Sequence, residues 1–98
     1  MKKISALELQ NKLENGESIH IIDVREDDEV AAGKIPGAAH IRLGDLPYSL
    51  EKLDKNKHYY MVCRSGGRSG RACEFLMDNG YDVTNMTGGM LAWEGEIE

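Results

Sequence analysis

The chain has 98 residues, enough for one modest core and too few for two, so 1–98 is read as a single domain. Its 41% hydrophobic and 30% charged residues exclude a disordered segment, and a formal net charge of −5 argues against general binding to nucleic acid or to anionic membrane surfaces. Met1-Lys2-Lys3 is not followed by the apolar run of a signal peptide, and no stretch approaches a membrane span. The expected location is therefore cytoplasmic, where Cys63 and Cys73 would be free thiols.

In chain order, Ile4 opens a short edge strand. Ser5 and Glu8 form an S-x-x-E capping box, and Ala6, Leu9 and Leu13 follow helical spacing up to Gly16. Ile19 to Val24 is a nearly continuous apolar run broken by His20 and Asp23, the pattern of a central strand covered on both faces. Glu26 to Ala32 reads as a short acidic helix closed by Gly33, with Arg25 and Glu29 at the spacing of a local ion pair. Ile35-Pro36-Gly37-Ala38 has the residues of a type II turn, and Ala39-His40-Ile41 is a short strand after it. Leu43 to Asn56 is a connector holding a short helix, with Leu46, Leu50 and Leu53 on one face.

The chemistry concentrates in the next stretch. A β-prone run, Tyr59 to Val62, delivers Cys63 onto Arg64-Ser65-Gly66-Gly67-Arg68, and a helix is predicted from Ser69 to Asn79 with Gly80 as its stop. Loop N–H groups and the free N–H groups of a helix's first turn favour an anion, and a thiolate fits there. Charge-assisted N–H bonds and the guanidinium groups of Arg64 and Arg68 would assist the helix terminus in lowering the thiol pKa. On the helix, Arg71, Glu74 and Asp78 form a solvent stripe, while Ala72, Cys73, Phe75, Leu76 and Met77 take the rest, so Cys73 is read as buried and inert. Val83 to Met86 is the last strand, and a helical turn after Thr87-Gly88-Gly89 is anchored by a core Trp93. The alternation of strands and helices implies an α/β domain with a mainly parallel sheet.

Cys63-Arg64-Ser65-Gly66-Gly67-Arg68 resembles the active-site loop of the rhodanese family of sulfurtransferases. Two flanking stretches carry the same resemblance: Ile22-Asp23-Val24-Arg25 with Glu29 and Gly33-Lys34-Ile35-Pro36-Gly37-Ala38 upstream, and Gly88-Gly89-Met90-Leu91-Ala92-Trp93 downstream. Three motifs in order span almost the whole chain. Lys34 and Val30 depart from the family pattern, where histidine and an aromatic residue are frequent, and this bears on local packing more than on chemistry.

The resemblance implies a small rhodanese-like domain of about five short strands with helices on both faces. It implies thiosulfate sulfurtransferase-like activity, in which a Cys63 persulfide moves sulfane sulfur from a small anionic donor to cyanide or to a thiol acceptor, including a protein thiol. Cys63 is the expected catalytic residue; Arg64, Ser65, Gly66, Gly67, Arg68 and Ser69 are the expected substrate-binding residues, with Gly88-Gly89 a wall of the mouth. Because two-domain relatives build part of the site from a second copy, Cys63 is expected to be more exposed here unless an oligomer covers it.

Two alternatives of different character stand beside this reading. One is a persulfide carrier serving a partner protein. The other is a phosphatase or arsenate reductase, whose related loops follow Cys-x5-Arg; the six residues from Cys63 to Arg68 make a tighter ring, better sized for sulfur. His20, His40 and His58 lack paired ligand spacing, so no metal is expected, and no nucleotide fingerprint implies a cofactor.

Overall fold

The structure, a computed structural model, describes residues 1–98. Five strands, β1 (Lys2–Ser5), β2 (His20–Asp23), β3 (Ala39–His40), β4 (His58–Val62) and β5 (Asp82–Thr87), form one sheet in the order β1-β5-β4-β2-β3. Every pairing is parallel. Parallel neighbours need crossovers, and α1 (Ala6–Glu14), α2 (Asp27–Ala31) and α3 (Gly67–Asp78) lie in those connections, giving the expected α/β architecture. The expected strand over Ile19 to Val24 is interior, but the middle of the sheet belongs to β4, whose end leads directly to Cys63.

Side-chain alternation divides the core in two. On one face Ile22, Tyr59, Met61 and Val83 pack with Ala72, Cys73 and Leu76 of α3; on the other, Ile21, Val62 and Met86 pack with Ala6 and Leu9 of α1. The local signals act as read. Ser5 and Glu8 exchange both capping-box hydrogen bonds at the start of α1. Ala38 N–H donates to the Ile35 carbonyl across Pro36-Gly37, with Gly37 at φ +80°. The connector forms two short 3-10 helices, Leu43–Tyr48 and Leu50–Lys52, with Leu46 buried in the core and Leu50 and Leu53 packed against it.

Several expectations change. α3 starts at Gly67, two residues before Ser69, because Gly66 adopts φ +105° and turns the chain into the helix at once. Met77 is 46% exposed, since it lies on the flank of α3 rather than over the core. Trp93 is half-buried against the α1 face and donates its indole N–H to the Glu96 carbonyl at 2.9 Å. Finally, Arg25 does not pair with the Glu29 carboxylate. Asp23 is fully buried at the end of β2 and needs a compensating charge, so Arg25 Nε and Nη2 bind it at 2.8–3.1 Å. Of Glu29, it is the main-chain carbonyl that accepts from Arg25, while the carboxylate turns to the Cys63 loop.

Candidate active site

Cys63 follows the last residue of β4, and its residue is 1% exposed. The expected exposed cysteine is therefore corrected: the thiol lies at the floor of the loop, beneath its own N–H groups and Ser69. Arg64, Ser65 and Gly67 are exposed, Gly66 and Arg68 are half-buried, and Ser69 is fully buried. The geometry thus sorts the loop into a rim open to solvent and a floor that holds the sulfur.

Gly66 N–H donates to Cys63 Sγ at 3.0 Å. Ser69 Oγ lies 3.2 Å from Sγ, 3.2 Å from the Gly66 carbonyl and 2.5 Å from Asn85 Oδ1. A hydroxyl has one hydrogen, so these acceptors compete for it. Asn85 also donates Nδ2–H to the Gly66 carbonyl at 3.1 Å, pinning the loop from β5. Asn85 was not among the predicted site residues. Its signal was present: a polar side chain inside a strand buried on both faces must find a partner.

The loop's carbonyls are turned away from the sulfur. Met90 N–H binds the Cys63 carbonyl at 2.9 Å and Leu91 N–H the Arg64 carbonyl at 3.0 Å, both from the 3-10 turn Gly89–Ala92. Gly89 makes this approach feasible. A Cβ there would lie 2.3 Å from the Arg64 carbonyl oxygen and 2.6 Å from that of Cys63. With those oxygens occupied, the positive ends of the loop dipoles and of α3 face Sγ.

The two cysteines show what this arrangement does. Burial alone raises a thiol pKa, and it pushes Cys73, in the same core cluster, up to about 12. Burial opposes ionisation of Cys63 too. Yet the Ser69 hydroxyl and the N–H groups of Ser69, Gly66 and Ser65 outweigh it and bring that thiol below its ordinary value. The principal donors are thus the hydroxyl and the main chain, where the sequence had also suggested guanidinium groups. Arg68 instead forms a two-pronged ion pair with Glu29, Nη1 to Oε1 at 2.6 Å and Nη2 to Oε2 at 2.8 Å. That partner lies 39 residues away and has no local sequence signal.

A family model described as a rhodanese-like domain matches residues 5–96. The chain belongs to the rhodanese-like family. Among rhodanese-like relatives, a Bacillus subtilis (strain 168) protein named "Putative sulfurtransferase YtwF" is 52% identical, over 100% of this chain and 95% of its own length. A "Sulfurtransferase" of Allochromatium vinosum is 34% identical over 95% of this chain and 88% of its own. The crystal structure of a rhodanese-like domain protein from Staphylococcus aureus superposes with a TM-score of 0.95 at 44% identity, covering 100% of this chain and 97% of that one. Sulfur transfer is the general activity that these rhodanese-like kinships support. No helix of the rhodanese-like fold seen here is long and apolar enough to cross a membrane.

Proposed function

We propose that this protein is a sulfurtransferase in which Cys63 carries sulfane sulfur as a persulfide, from a small anionic donor such as thiosulfate to cyanide or a thiol. The observation that carries this reading is the pair of donors on a buried sulfur, Gly66 N–H at 3.0 Å and the Ser69 hydroxyl at 3.2 Å from Cys63 Sγ, which bring that thiol below its ordinary value despite burial, whereas burial pushes Cys73 in the same core up. A thiolate is the nucleophile in such chemistry, and the donors that favour it are already in place.

In the first half-reaction the Cys63 thiolate attacks the donor's outer sulfur. The Sγ–S bond forms, the donor's S–S bond breaks, and sulfite leaves with the electron pair. In the second half-reaction the acceptor attacks the outer sulfur and the Cys63 thiolate departs. The N–H groups of Ser65, Gly66 and Ser69 serve the thiolate and the persulfide anion alike, an electrostatic task equivalent to that of an oxyanion hole. The loop from Arg64 to Ser69 receives the donor, and exposed Arg64 offers it a planar pair of N–H donors.

Intact-protein mass spectrometry after incubation with thiosulfate tests this. The expected result is one added sulfur atom on wild type, removed by cyanide with release of thiocyanate, and none on Cys63→Ser. Sulfur on the Cys63→Ser protein would move the chemistry to Cys73. Sulfur on neither protein would count against thiosulfate as donor and bring phosphate esters forward as substrates.

A further inference from the structure

Beside the rim of the loop, Glu29 and Arg68 form a closed pair that uses both terminal nitrogens of the arginine and both oxygens of the carboxylate. The carboxylate is fixed independently of the loop. Its Oε1 accepts Glu26 N–H at 3.0 Å, its main-chain carbonyl accepts from Arg25 at 3.3 Å, and Arg25 is anchored on buried Asp23 and on the Gly33 carbonyl. Arg68 therefore cannot present its fork to a donor without leaving a partner that stays in place. The pair is partly open to water, 29% and 24% exposed, and pairs of this kind contribute little to folding. Its larger effect is on local charge: Arg68 and Glu29 together sum to zero, and Arg64 is left as the unpaired guanidinium of the loop itself. The Arg68 guanidinium holds the Glu29 carboxyl down at about 2, so this balance persists at any neutral assay pH.

We propose that Glu29 is a specificity-determining residue for the sulfur donor: by neutralising Arg68 it biases the site toward singly charged sulfane donors, such as organic thiosulfonates, over the thiosulfate dianion. The proposal rests on Cys63 as the sulfur acceptor. The chemistry is the same for both donors, since a thiosulfonate gives its outer sulfur to the Cys63 thiolate and releases a sulfinate with the electron pair. What differs is the charge brought to the mouth. Coulombic energy is proportional to that charge, so removing one negative charge from Glu29 acts twice as strongly on a dianion as on a monoanion.

The test compares steady-state kinetics of wild type, Glu29→Gln and Glu29→Asp with thiosulfate and with benzenethiosulfonate. Glu29→Gln should lower KM about tenfold for thiosulfate and about threefold for benzenethiosulfonate, with kcat for each changed less than about twofold. Glu29→Asp keeps the charge and should keep the wild-type preference. An unchanged preference in Glu29→Gln overturns the proposal, as does an equal change in the Asp and Gln variants, which marks a merely structural residue. Should Glu29→Gln not fold, Arg68→Gln leaves Glu29 as an unpaired anion. It should then move the preference about threefold against thiosulfate, and a preference that stays put sinks the idea equally. Mass spectrometry separates the two readings: wild type that takes sulfur from neither donor ends both, whereas loading from both donors with a preference insensitive to Glu29 ends only this one.

Discussion

Ser69→Ala isolates the hydroxyl that meets the Cys63 sulfur while leaving the backbone donors of α3 in place. A hydrogen bond to a charged group contributes about 1.5–3 kcal/mol net, and the lower end applies here because Asn85 Oδ1, at 2.5 Å, competes with Sγ, at 3.2 Å, for one proton. Loss of about 1.4 kcal/mol of thiolate stabilisation is a factor of ten in the thiolate fraction below the pKa. The assay is the rate of iodoacetamide addition to Cys63 as a function of pH, followed by intact mass. Cys73, buried and pushed up to about 12, stays out of the measurement. Ser69→Ala should react about tenfold more slowly than wild type near neutral pH, with the two rates converging in alkali as both thiols ionise. It should also melt lower, since Asn85 Oδ1 loses its buried partner at a cost of about 1–3 kcal/mol. Equal rates at neutral pH would refute the role given to the hydroxyl. A deficit that persists in alkali would show that access, rather than ionisation, had changed.

Three further expectations follow from the site. Glu29 is held at about 2 against an ordinary 4.5, chiefly by Arg68. A lowered carboxylate pKa stabilises the fold above the unfolded value and ceases to do so as pH falls through the folded one. Wild type should therefore lose this contribution progressively from about pH 4.5 to about pH 2, and the stability difference from Glu29→Gln, read by circular dichroism, should shrink over that window. Gly89→Ala places a methyl 2.3 Å from the Arg64 carbonyl oxygen in a backbone at φ +55°, so the loop must move. It should cost at least about 1–2 kcal/mol of stability and abolish sulfur loading, measured by thermal melting and mass spectrometry; retention of wild-type loading would contradict the wall assigned to this turn. Cys73→Ala should melt lower by about 1 kcal/mol equivalent and load sulfur as wild type does, and loss of loading without loss of fold would refute its inert reading.

What could be read from the sequence was local. The Ser5–Glu8 capping box, the Pro36-Gly37 turn, the strand ending at Cys63 and the glycine stop of α3 each depend on residues within a few positions, so their signals survive without tertiary information. The site's decisive contacts are not local. Ser69 meets Asn85 from the adjacent strand, and Glu29 reaches Arg68 across 39 residues. Lys34 and Glu98 exchange main-chain hydrogen bonds at 2.9 and 3.2 Å as well as a side-chain ion pair, joining points 64 residues apart. Arg25 shows why spacing misled: Glu29 was at ion-pair distance along a helix, but a fully buried carboxylate two residues before Arg25 had the stronger claim on its charge. The exposure of Cys63 was misjudged for a related reason. The loop covers its own sulfur, so Cys63 is buried by residues of this domain alone.

That depth has a consequence for the order of events. An S–S bond is about 2.05 Å long, so a persulfide's outer atom stands that far beyond Sγ. With Cys63 only 1% exposed, the empty thiol is out of reach of another protein's cysteine, whose approach to a mixed disulfide needs the two Cβ atoms about 4 Å apart. The transferred atom need not be. On the persulfide reading proposed above, charging would set the reactive atom one S–S bond beyond Cys63 Sγ and discharging would withdraw it, so the depth of the sulfur would act as a valve, closed to a large thiol while the site is empty and less so once it is loaded.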